Sequence, residues 1–141
     1  MSDRFVSGNP GRDVQRVGTA RFLGQDPEKI HQPVWAVTGN LGDSQCYLGV
    51  SEKVQAIQAA LGARIRRDDL PVRLIPPVFT VGVSDGQLNG TDRMRFSLIG
   101  REITNDSVDA HLTANDVKGL IAVVACDKPP VGTLAAVLEH N

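Results

Sequence analysis

The sequence predicts an α/β fold, a parallel sheet with covering helices in three αβα layers, preceded by an irregular N-terminal arm. Two observations predict it. Short, continuous apolar runs bounded by turn residues occur at residues 34–37, 78–83 and 120–125, as expected of strands buried on both faces. Each run is followed by a loop rich in Gly, Asp or Pro and then by a helical pattern. Strand, loop and helix in three rounds imply parallel strands joined by crossover helices.

Residues 1–33 are rich in Gly, Pro and charge, with isolated apolar residues such as Phe5, Val6, Phe22 and Leu23. They read as an arm with too little apolar surface to offset the entropy of ordering it. Asp26 before Pro27 and Glu28 has the chemistry of a helix start, followed by at most a short helical turn. From residue 34 to residue 141 the chain reads as one α/β domain, expected to be truncated at its C-terminal end. Val34-Trp35-Ala36-Val37 forms the first strand, ended by Gly39-Asn40-Leu41-Gly42. Residues 50–63 place Val54, Ile57 and Leu61 at helical spacing, and Gly62 stops the helix. The second round is a strand over 78–83, a loop over 84–90 and a helix over 97–112. The third is a strand over 120–125, a loop over 126–130 and a helix over 134–139.

With 141 residues the chain fits one domain of about 100–150 residues. Its 15 Lys and Arg against 16 Asp and Glu are scattered, for a net charge of -1. No basic stripe offers itself to nucleic acid or to a membrane surface. No apolar run approaches the ~20 residues that span a bilayer, and the polar start lacks the layout of a signal peptide, so a cytoplasmic location is expected. The glycine pattern matches neither a P-loop nor a dinucleotide fingerprint. In a reducing compartment, Cys46 and Cys126 would be buried, catalytic or metal-bound rather than disulfide-linked.

Right-handed crossovers bring all the loops that follow strands to one sheet edge, where open α/β sheets bind ligands. Cys46, Asp85 and Cys126-Asp127-Lys128 all lie in such loops. Carboxylates at the ends of two strands can converge on a hard divalent cation, although Ser84-Asp85-Gly86 is also ordinary turn chemistry. A thiol next to oxygen donors suggests a soft and a hard metal centre sharing one substrate. A structural zinc site fits less well, because close-spaced cysteine pairs are lacking. His31, His111 and His140 read as surface or helix-face residues.

Four stretches, in order, are similar to a known family: Val81-Gly82-Val83-Ser84-Asp85-Gly86; Met94-Arg95-Phe96-Ser97-Leu98 with Arg101-Glu102-Ile103; Asp106-Ser107-Val108; and Cys126-Asp127-Lys128. With Cys46 before the first helix, they make the chain resemble the amino-terminal portion of the dihydroxy-acid and sugar-acid (phosphogluconate-type) dehydratases. That resemblance implies dehydration of a small hydroxylated carboxylic acid to a 2-keto acid. It implies Cys46 and Cys126 as ligands of an iron-sulfur cluster, and Asp85, Asp127 and Lys128 as ligands of magnesium, Lys128 as a carbamate. It also implies a missing C-terminal segment that supplies the remaining ligands and the base, and a homo-oligomer when complete. Gly49 and Thr91 stand where members commonly have histidine. Two rival readings are a non-catalytic α/β binding or regulatory domain derived from the family, and a small redox protein using the two thiols.

Overall fold

The structure, a computed structural model, describes residues 10–140. Its centre is β1 (Val34–Leu41), whose residues are buried along nearly its whole length, as a strand covered on both faces must be. β2 (Arg73–Leu74), β3 (Val78–Val81) and β4 (Val117–Val123) all pair with it in parallel. Val34 pairs with both Arg73 and Val117, and Thr38 with both Val78 and Ala122. A strand has two edges, so β4 occupies one of them and β2 and β3 follow each other along the second. Between β2 and β3 lie Pro76 and Pro77, which have no N–H to give the ladder. β2 is an element that the apolar pattern did not announce.

Alternation along β1 sends side chains to two helical layers. Val34 and Ala36 pack with Val108, Leu112 and Ala136, from α4 (Arg95–Asn115) and α5 (Lys128–His140). Val37 packs with Val50 and Val54 of α2 (Val50–Arg67) on the opposite face. The three αβα layers are thus those expected. α4 and α5 approach closely at Gly132, where an added Cβ would lie 2.5 Å from the Arg101 carbonyl oxygen.

Several boundaries differ from the expectation: β1 runs through Gly39 and Asn40 to Leu41, β3 already ends at Val81, β4 is shifted to Val117–Val123, and α4 is longer at both ends. Gly62 does not stop α2, which runs on to Arg67. The glycine is buried near Leu74 of β2, and Ile65, 5% exposed, gives the added turn its own core anchor. The loop expected over 126–130 is shorter, because Lys128, Pro129 and Pro130 form the first turn of α5. Proline is tolerated there, since the first turn's N–H groups have no helical partner. A one-turn helix, α3 (Asp85–Leu88), interrupts the loop after β3.

The region before the sheet has irregular connections, yet it is not bare. Residues 10–22 form α1 (Pro10–Phe22), with Pro at its first position and Gly24 in the left-handed conformation, φ 63°, just past its end. The short turn at 27–29 forms as expected, with Asp26 accepting from the Glu28 amide. Ile30 and Ala20 are buried. Gln25 binds β2 by both ends of its amide, Nε2 to the Leu74 carbonyl at 3.0 Å and Oε1 from the Leu74 N–H at 2.8 Å. The irregular N-terminal region expected before the sheet thus carries a helix and two buried apolar residues over 10–33, while residues 1–9 lie outside the described residues. Among the described residues no helix is long and apolar enough to cross a membrane.

Candidate active site at the strand ends

Because the sheet is parallel, β1, β3 and β4 deliver their following loops to one edge, and all five residues singled out in the sequence lie there. Cys46 is in a single 3₁₀ turn, Gln45–Tyr47, just before α2. Asp85 opens α3. Cys126 and Asp127 lie in the link between β4 and α5, and Lys128 is the first residue of α5.

The charged groups meet. Lys128 Nζ donates to Asp85 Oδ2 at 2.6 Å and to Asp127 Oδ2 at 2.7 Å, so a single cation bridges the two carboxylates. Asp85 Oδ1 also accepts from the Ser97 hydroxyl, which α4 presents from a position only 1% exposed. Hydrogen bonding to Lys128 is the main cause that pulls the Asp127 pKa down to about 2. The same bond, followed by that to Asp85, pushes the Lys128 ammonium above its ordinary value. A carboxylate at the start of α5 is also favoured by the helix dipole.

The sulfurs are placed differently. Cys46 is exposed and Cys126 half-exposed, and both are free thiols. Cys126 has φ 66°, a left-handed conformation uncommon outside glycine, and its thiol lies 3.5 Å from Asp127 Oδ1. Gly49 has φ 76° at the cap of α2. An open cleft of about 600 Å³ runs past Ser44, Cys46, Ser84 and Gln87, between the loops after β1 and β3.

Two residues of this edge were not singled out for a role. Ser97 orients Asp85, as above. Tyr47 is 4% exposed and its hydroxyl donates to the Val83 carbonyl at 3.1 Å. Burial, then the negative charge available at Cys126, Cys46 and Asp127, raises its pKa well above the usual phenol value. An aromatic directly after a cysteine was the only sequence signal for Tyr47; for Ser97 it was a serine in the first turn of a predicted helix.

The histidines stay outside the site. His140 Nε2 lies 3.3 Å from the Val117 carbonyl, where β4 begins at the opposite edge. His111 contacts Asn115 on α4, and His31 is exposed. Among the described residues, no three or more His, Cys, Asp or Glu side chains are grouped to hold a metal ion. Two carboxylates and a lysine are what the chain brings together.

Residues 50–141 match the family model described as dihydroxy-acid/6-phosphogluconate dehydratase N-terminal. A dihydroxy-acid dehydratase of Nostoc sp. is 27% identical over the whole of this chain, which covers 24% of that protein. One from Synechococcus sp. is 32% identical over 86% of the chain, covering 20% of the relative. One from Flavobacterium psychrophilum is 48% identical over 62 residues, 44% of the chain and 11% of the relative. The chain thus spans a quarter or less of the length of these relatives. The match over residues 50–141 takes in Asp85 and Cys126-Asp127-Lys128, and the chain belongs to the dihydroxy-acid/6-phosphogluconate dehydratase family, of which it carries the amino-terminal portion.

Proposed function

We propose that the chain is the amino-terminal part of a hydro-lyase that converts 2,3-dihydroxy carboxylic acids or sugar acids to 2-keto acids, and that it acts only together with the rest of the enzyme. Residues 34–141 would be its amino-terminal α/β domain and 1–33 its arm, in a cytoplasmic homo-oligomer. The observation that carries this reading is the convergence of Asp85, Asp127 and Lys128 on one point at the strand ends.

That donor set fits magnesium. Two carboxylate oxygens that hold one ammonium at 2.6 and 2.7 Å converge closely enough to hold a hard cation in its place. As an ammonium, Lys128 opposes such a cation; as a carbamate it adds anionic oxygens. Taking up carbon dioxide requires the amine to lose its proton, and the two aspartates hold that proton on. Carbamate formation and cation binding are therefore coupled. Cys46 and Cys126, accessible thiols at the same edge, suit the soft metal of an iron-sulfur cluster. When bound, the two centres supply Lewis acidity at the leaving hydroxyl and charge stabilisation for the enolate.

The chain's own residues position. Ser97 fixes the Asp85 carboxylate, and the cleft past Ser44, Ser84 and Gln87 offers hydroxyl and amide groups to a polar substrate. The base that removes the C2 proton is assigned to the rest of the enzyme. The test is 2-keto acid formation from a panel of dihydroxy acids and sugar acids, under anaerobic conditions with magnesium. The complete enzyme is expected to turn over and the 141-residue chain alone to show none. Robust turnover by the chain alone would overturn the need for a partner segment, whereas an inactive, iron-free complete enzyme would favour the non-catalytic binding or regulatory domain.

A further inference from the structure

Tyr47 stands between the loops that follow β1 and β3. Its ring fills a slot between two glycines: a Cβ added at Gly42 would come within 2.6 Å of the ring carbons, and one at Gly82 within 2.4 Å. Gly42 belongs to the loop after β1 and Gly82 to the loop after β3. The Tyr47 amide donates to the Ser44 carbonyl at 3.1 Å, tying the ring to its own loop. Its hydroxyl donates to the Val83 carbonyl at 3.1 Å, two residues before Asp85. Cys46 precedes it directly in the chain. A phenylalanine would fill the slot as well, so packing alone does not call for the hydroxyl. Left without a partner in so buried a position, that hydroxyl would be unfavourable.

We propose that Tyr47 is a positioning residue, a strut whose ring and hydroxyl set the spacing between the loop that carries Cys46 and the loop that carries Asp85. This rests on the reading of Cys46 and Cys126 as a ligand pair. The ring keeps the loops after β1 and β3 apart by a fixed thickness, and the hydroxyl locks the second to the first. The thiol side of the edge is thereby held in register with the carboxylate side.

The test uses the 141-residue chain and its Tyr47→Phe and Tyr47→Leu variants. Amide hydrogen exchange is followed at residues 43–46 and 84–86, with α2 as internal reference. Cadmium ion, a soft probe for paired thiolates, is titrated by its ultraviolet charge-transfer band. Tyr47→Phe should stay folded, melting only a few degrees below the wild type, yet exchange about fivefold faster in both loops and bind cadmium about fivefold more weakly, the factor that one net hydrogen bond represents. Tyr47→Leu should show larger changes of the same kind. Unchanged exchange and cadmium affinity in Tyr47→Phe would overturn the proposal, as would equal acceleration in α2, the mark of a purely structural role. If Cys46→Ser binds cadmium as tightly as the wild type, the ligand-pair reading fails. Faster loop exchange in Tyr47→Phe would even then support the strut between the loops.

Discussion

Asp85, Asp127 and Lys128 hold one another through bonds of 2.6 and 2.7 Å, with Ser97 behind Asp85. At the same edge, Cys46 and Cys126 are free thiols, one exposed and one half-exposed. The ionic half of the site is assembled within this chain, and the sulfur half is only presented. Charge explains the difference. Unpaired carboxylates and ammonium groups at a partly buried edge are unfavourable, so they find partners in the fold. A thiol is a small, weakly polar group that needs no charged partner.

The comparison can be broken most sharply in the complete enzyme. Cys126→Ser should abolish the bound iron, whereas Asp127→Asn should weaken magnesium binding and leave iron content nearly unchanged; metal analysis of anaerobic preparations reads both. Parallel loss of both metals in each variant would mean that the halves are one unit.

Next in size is the effect of bicarbonate. If Lys128 opposes magnesium as an ammonium and assists it as a carbamate, magnesium affinity should rise with bicarbonate, because a repelling charge beside the cation is exchanged for an attracting one. Lys128→Met should bind magnesium with no bicarbonate dependence, as measured by calorimetry.

Ser97→Ala sharpens the account of the ionic half. It removes a buried hydroxyl from a charged acceptor, a bond worth about 1.5–3 kcal/mol. Urea unfolding should show a loss near the lower figure, because Asp85 keeps Lys128. Reactivity of Cys46 toward alkylating agents should stay as in the wild type.

The smallest effect is the contribution of Asp127 to stability. Its side chain is 58% exposed, and exposed ion pairs are worth about 0–1 kcal/mol. Its pKa is depressed in the folded state, so the contribution is present above the ordinary value of 3.8 and lost as pH falls through about 2. Thermal melts of Asp127→Asn and wild type should differ slightly at neutral pH and converge below pH 2.

Much of this was legible in the sequence. The apolar runs marked β1, β3 and β4 because buried parallel strands need no polar alternation, and strand direction alone brought Asp85 and Asp127 to one edge. Less legible was whatever depends on partners far apart in the chain. α1 was missed because its apolar residues are isolated and Val14 and Phe22 stay exposed, at 69% and 83%. Gly62 looked like a stop until Leu74 packed near it. Lys128 to Pro130 read as loop because proline argues against a helix interior, though not against its first turn. The roles of Tyr47 and Ser97 emerge only once two loops and α4 are brought together.

The grip of Gln25 on Leu74 bears on solubility. An edge strand offers its outward N–H and C=O groups to any other extended chain, which is a route to aggregation. On the β2 side those of Leu74 are taken by the Gln25 amide, the Ile75 carbonyl accepts from Gln58 at 2.8 Å, and Pro76 and Pro77 have no N–H to offer. The β2 part of that margin is thus covered by side chains that imitate a neighbouring strand. Among the described residues no strand pairs with the outer margin of β4 or of β3, so a further strand has those two margins, and not β2, on which to add.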